Sequence, residues 1–222
     1  MFIGHFAVGF ASQRAAPRTP LVWLLLAPLW LDVVWPILVL AGIERASVSP
    51  GFTAFVPLDL AHMPWSHSLT MAVLWSIAFA GAYRLGHADV RGAVVLGLGV
   101  FSHWVLDWIT HAPDLGIAPG LAARTGLGLW NSIPATLAVE GTAFAASIAV
   151  YVGATRPRDP AGRRGLVGVV AFLLVAYVVS SFGPPPPDIR AVALALLAAT
   201  AIVLALAVWI DRHREPRRTV QG

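Results

Sequence analysis

An all-α fold, a polytopic membrane helical bundle of about six transmembrane helices plus a short N-terminal half-helix, is what this chain of 222 residues predicts. Three observations carry the prediction. The composition is 58% hydrophobic and only 12% charged, with a mean hydropathy of +0.75, well outside ordinary soluble domains. The apolar residues gather in runs of about 20, the length that crosses a hydrocarbon core about 30 Å thick. The basic residues, all arginines with no lysine, fall between those runs or at their ends.

In chain order the spanning segments are Pro20–Gly42, His67–Leu85, Gly92–His111, Pro134–Ala154, Gly165–Phe182 and Ile189–Ile210. Ahead of them Phe2–Ala11 is too short to span. It lacks the basic start and small-residue cleavage pattern of a signal peptide, and reads as a half-helix or re-entrant piece of the mature chain. Arg14, Arg18, Arg84, Arg91, Arg156, Arg158, Arg163, Arg164, Arg212, Arg214, Arg217 and Arg218 lie in alternate connections, against Arg45, Arg124 and Arg190 in the others. The positive-inside rule makes the first set, and the C-terminus, cytoplasmic. The isoelectric point near 10.6 then reflects arginine flanks at the inner leaflet. Scattered arginines without interleaved stacking aromatics do not form a nucleic-acid surface, so no nucleic acid is expected.

One stretch inside the apolar runs is chemically costly. His103, Asp107 and His111 sit four residues apart, and at about 100° per residue they drift by only about 80°, so they share one helix face. An ionisable group left in hydrocarbon costs roughly 2.5–3.5 kcal/mol even on the gentlest scale, and such groups face a bundle interior or water. His67 opens the second span, Glu140 lies less than two turns into the fourth, Asp32 is near the middle of the first, and His5 reaches a similar depth. The intramembrane charges thus converge on one layer between mid-bilayer and the outer interface. The outward loops, about Ile43–Ser66 and Ala112–Ile133, are long enough to be functional.

The last two spans carry no interior ionisable residue, and four prolines, Pro184 to Pro187, stiffen the turn between them. The chain therefore divides into a membrane-embedded metal-site unit, residues 1–155, and a C-terminal transmembrane pair with a basic tail, residues 156–222, within one membrane domain. The C-terminal pair reads as scaffold. His87 and His213, in the cytoplasmic flanks, read as solvated. Ser68 and Ser102 read as packing or supporting residues beside their histidines.

With no cysteine, disulfide and thiolate chemistry are excluded. Imidazole and carboxylate donors suit a divalent metal, zinc first, with manganese or iron as alternatives. The candidate ligands are His5, Asp32, His67, His103 and Asp107. A site of this kind with one open position gives a hydroxide nucleophile near neutral pH. Glu140, His111 and His62 are then the candidate catalytic groups, Glu140 as general base or as the carboxylate that orients a ligating histidine. Each residue also has a plainer reading, since a lone membrane histidine or carboxylate often serves only as an interhelical hydrogen bond.

Four features resemble the LexA-binding, inner-membrane-associated metal-dependent hydrolases of bacteria and archaea. They are Gly4-His5, the apolar run Pro28-Leu29-Trp30-Leu31-Asp32, the stretch His62-x4-His67-Ser68-Leu69, and Ser102-His103-x3-Asp107-x2-Thr110. The resemblance covers about the first 115 residues, and Gly126–Ser132 resembles one subgroup. Where that family's pattern has a paired aspartate, a following histidine and an Arg-Gly pair, this chain has Trp30 or Leu29, Val33 and Met63-Pro64. The resemblance therefore implies a single-metal centre in the bacterial or archaeal cytoplasmic (inner) membrane.

Three functions remain open on the sequence. One is hydrolysis of a lipid or lipid-linked ester or phosphoester at the outer leaflet. Another is proton- or metal-coupled transport through the same His/Asp/Glu cluster. The third is a non-catalytic membrane scaffold.

Overall fold

The computed structural model describes residues 2–217, so Arg218 and the rest of the basic tail lie outside the described residues. The chain runs α1 (Ile3–Ala15), α2 (Leu21–Leu40), a hairpin of β1 (Arg45–Val48) and β2 (Leu58–His62), α3 (Leu69–Gly86), α4 (Val90–Thr110), a second hairpin of β3 (Leu115–Gly116) and β4 (Arg124–Thr125), α5 (Ile133–Ala154), β5 (Thr155–Pro157), α6 (Pro160–Phe182), α7 (Ile189–His213) and β6 (Arg214–Pro216). The helices α2 to α7 are long and apolar enough to cross a membrane. All three strand pairs are short and antiparallel.

Helix starts follow capping chemistry. The side chains of Ser68, Asp89, Ser132, Asp159 and Asp188 accept a backbone N–H in the first turns of α3, α4, α5, α6 and α7, each such cap contributing about 1 kcal/mol. Helix α2 begins after Pro20 with no side-chain cap of its own. Asp211 of α7 supplies it instead, accepting from the N–H groups of Leu21 at 2.7 Å and Val22 at 3.1 Å. A carboxylate there also meets the positive end of the helix dipole.

At 13 residues α1 is about 20 Å long, too short to span, as expected. It is mostly apolar, shows no strongly polar face before its last turn, and packs against α2, α4 and α5, in keeping with the rule that such a helix is buried. Its approach to α2 depends on Gly9. A Cβ there would stand 2.8 Å from the Leu24 carbonyl and 2.7 Å from Leu25 Cδ2. The Leu24 carbonyl is the one that Pro28, lacking an N–H, cannot engage. Helix α4 approaches the same stretch through Gly99, where a Cβ would stand 3.2 Å from that of Ala27. Small residues thus bring three helices together around Pro28, and the polar cluster forms beside that junction.

Candidate metal centre

The cluster draws one or two side chains from each of four places: His5 from α1, Asp32 from α2, His67 from the turn before α3, and His103 and Asp107 from consecutive turns of α4. His5, His67, His103 and Asp107 are 3% exposed or less, while the Asp32 side chain is 23% exposed and forms the open side. His67 Nε2 stands 3.1 Å from His103 Nε2, 3.6 Å from Asp32 Oδ1 and 3.6 Å from Asp107 Oδ2. His103 Nε2 stands 3.0 Å from Asp107 Oδ2 and 3.8 Å from Asp32 Oδ1.

Hydrogen-bond bookkeeping assigns the tautomers. His103 Nδ1 faces the Pro28 carbonyl at 2.7 Å, which only accepts, so Nδ1 carries a proton and, in the neutral ring, Nε2 a lone pair. His67 Nδ1 faces Ser66 Oγ at 2.8 Å, and Ser66 donates its own proton to Glu44 Oε2 at 2.6 Å. Ser66 must therefore accept from His67, leaving a second lone pair on His67 Nε2. His111 Nδ1 lies 2.9 Å from Asp114 Oδ1 and its Nε2 3.8 Å from Asp107 Oδ2, so a third imidazole presents the same edge. Lone pairs at these distances repel unless a cation lies between them.

The spacing suits one cation. Ligands about 2.1 Å from a tetrahedral ion stand roughly 3.4 Å from each other, and five of the six distances among His67 Nε2, His103 Nε2, Asp32 Oδ1 and Asp107 Oδ2 run from 3.0 to 3.8 Å around that value. These buried His/Asp groups can hold a metal ion. A second trio, His5, His103 and Asp107, also brings ligand atoms together. His5 lies flat on His103, ring centroids 3.7 Å apart, with Nε2 3.1 Å from Asp107 Oδ1. Its Nδ1 has no partner among the described residues, so donation from Nε2 to Asp107 is the bond that accounts for its place.

Of the other sequence candidates, Glu140 is fully buried. Its Oε2 accepts from the backbone N–H groups of Phe2 at 3.0 Å and Gly4 at 3.4 Å, at the start of α1. Its Oε1 has no partner among the described residues. His111 is buried against Trp130, ring centroids 4.3 Å apart. His62 ends β2, exposed and opposite Arg45, apart from the cluster. His87 is exposed and stacks on Tyr83, whereas His213, read as solvated, contacts Asp159 Oδ2 at 2.7 Å.

The sequence missed Glu44 and Asp114 altogether. Glu44, 1% exposed, accepts from the backbone N–H groups of Trp65 and Ser66 as well as from the Ser66 hydroxyl. It fixes the turn that carries His67. Asp114 was legible only as a carboxylate three residues beyond His111.

Comparison with protein-family models, curated proteins and solved structures finds no match for this chain. The centre's chemistry thus rests on its own geometry.

A cavity of about 580 Å³ reaches the centre, bordered at its polar end by Asp32, His67, Asp107, His111 and Glu140. Its far wall is made by α6 and α7, including Val179, Pro184, Ala195 and Leu196. The C-terminal pair is therefore also a wall of the site, which its uniform apolarity did not reveal.

Proposed function

We propose that the protein is a membrane-embedded, metal-dependent hydrolase that cleaves a lipid or lipid-linked ester or phosphoester. The observation that carries the reading is the convergence of the His67 and His103 lone pairs with two carboxylates at the end of a cavity. A metal that merely locked helices together would be closed off on all sides. Here the half-exposed side of the cluster is Asp32, and the cavity begins there. The sequence resemblance to inner-membrane metal-dependent hydrolases points the same way, and the arginine distribution supports a centre towards the outer leaflet of a bacterial or archaeal inner membrane with the C-terminus inside.

When bound, a divalent metal, zinc foremost for a four-ligand nitrogen and oxygen site, supplies a Lewis acid and a water whose pKa falls towards about 7. The protein does the rest. Ser66 with Glu44, and the Pro28 carbonyl, hold the His67 and His103 rings with Nε2 inwards. His5 steadies Asp107. His111, its Nδ1–H fixed on Asp114, accepts the proton of the attacking water at Nε2 and returns it to the leaving-group oxygen. Glu140 holds the start of α1, and its Oε1 is a second proton acceptor at the polar end.

The test is metal content by mass spectrometry on detergent-purified protein, followed by a lipid-hydrolysis screen, with His103→Ala and Asp107→Ala alongside. Near-stoichiometric metal and a hydrolysed lipid class, both lost in the variants, are expected. A wild type that binds no metal after reloading overturns the reading and returns the cluster to proton-coupled transport or a structural polar network.

A further inference from the structure

The cavity changes character along its length. One end holds the charged groups of the centre. The other runs between α6, α7 and the β1–β2 hairpin and is walled by side chains such as Val56, Leu60, Val192 and Leu196. On α7 the wall is opened by alanines one turn apart, Ala191, Ala195 and Ala199, which leave room where larger residues would fill it. Pro184, Pro186 and Pro187 make a rigid rim at the α6–α7 turn.

Five of the wall residues, Val179, Ser180, Pro184, Pro187 and Ala195, are themselves exposed. The cavity consequently has a mouth between α6 and α7. Both helices are long and apolar enough to span a bilayer, and the outward faces beside the mouth carry exposed Val175, Val178 and Leu194. The helix flanks of that mouth face hydrocarbon, while its rim at Pro184 and Pro187 lies in the α6–α7 turn. At about 580 Å³ the space falls within the roughly 300–1,000 Å³ of small-molecule sites.

A second observation marks where the polar part of an occupant sits. Trp35 and Trp130 border the cavity, are 4% and 7% exposed, and have indole N–H groups without a partner among the described residues. Glu140 Oε1 is unpartnered at the same end. Buried polar atoms of this kind are ordinarily satisfied. These atoms are themselves closed off from the cavity space, so the polar part of an occupant is placed by the partly exposed Asp32 side chain at the cavity's polar end.

We infer that the α6–α7 half of the cavity is a slot for one hydrocarbon chain of a membrane lipid, entering sideways between the two helices with its oxygen-bearing end towards Asp32 and the polar end of the cavity. The inference deepens the hydrolase reading, on which the meaning of the polar end rests. The slot itself binds a chain whether or not the centre turns over.

The experiment uses palmitic acid bearing a terminal diazirine, photolysed with the detergent-solubilised full chain, with adducts mapped by peptide mass spectrometry. Adducts on Val56, Leu60, Val192 or Leu196 are expected in the wild type. Ala195→Trp, at a partly open position that tolerates bulk, blocks the mouth and lowers those adducts about tenfold, the size of an overpacking penalty of 1–2 kcal/mol. Adducts confined to outward residues such as Val175 and Leu194, or cavity adducts undiminished in Ala195→Trp, overturn the slot. Metal content is read on the same samples. Cavity adducts without any metal support the slot while removing the hydrolase reading, and metal without cavity adducts does the reverse.

Discussion

The Nδ1 of His103 donates to the backbone carbonyl of Pro28 across 2.7 Å, tying a candidate ligand on α4 to the first of the two prolines that interrupt the helical ladder of α2. The bond exists because Gly99, one turn before His103, lets α4 sit against Ala27. Gly99→Leu inserts a side chain into that gap and parts the two helices. Metal affinity, measured by competition with a chelator, is expected to fall about 10–100-fold, the usual cost of losing a bond that orients a ligand, with the helices still formed.

Glu44 sets the tautomer of His67 through Ser66. In Glu44→Gln the amide can donate to Ser66 Oγ, freeing the Ser66 proton for His67 Nδ1 and moving the imidazole proton to Nε2, where a ligand lone pair is needed. Metal affinity by calorimetric titration is again expected to drop about 10–100-fold. Ser66→Ala removes the same relay and is expected to show a loss in the same range.

Gly9 and Gly81 give opposite outcomes for one chemical change. Gly9→Ala drives a methyl into Leu25 and the Leu24 carbonyl, and is expected to destabilise by about 1–3 kcal/mol in thermal melts. Gly81, within α3, has nothing within 4 Å of its would-be Cβ. Gly81→Ala is expected to raise stability by about 0.4–1 kcal/mol.

Glu140 separates holding from chemistry. Glu140→Ala leaves the Phe2 and Gly4 N–H groups without their buried acceptor and is expected to cost about 1–3 kcal/mol. Glu140→Gln retains an oxygen acceptor and is expected to melt close to the wild type. A large fall in hydrolysis by Glu140→Gln at unchanged melting temperature would give Glu140 a direct part in the reaction.

At the other end of the bundle Asp89 accepts from the Gly92 N–H at 2.9 Å and the Thr19 hydroxyl at 3.0 Å. Its carboxylate is held below the usual range, chiefly by the Gly92 N–H. A depressed carboxylate stabilises above its unfolded pKa of about 3.9 and loses that contribution as pH falls through the folded value. Asp89→Ala is thus expected to lower stability by about 1 kcal/mol at neutral pH, and the difference from wild type is expected to shrink below about pH 4. Melting curves across pH read both.

The spanning helices were legible because twenty-residue apolar runs have few other solutions. Their edges were less so. Helix α6 starts at Pro160 rather than Gly165, since Arg163 and Arg164 interrupt the apolar window but not a helix capped by Asp159. Helix α1 runs on to Ala15 instead of ending at Ala11. The hairpins escaped notice because their two- to five-residue strands pair with segments whose spacing carries no pattern. In the centre, His103 and Asp107 were visible through their shared helix face. Glu44 was not, because what makes it part of the site is a turn twenty-two residues further along. The wall made by α6 and α7 was hidden for another reason: a side chain lining a cavity and one facing lipid are equally apolar.

Asp211 closes the first long helix from the last, 190 residues away in sequence. During synthesis the N–H groups of Leu21 and Val22 therefore wait for a partner made 190 residues later. The start of α2 is thus completed from a helix made much later, and removing α7 would leave those N–H groups without their acceptor and the cavity without one wall.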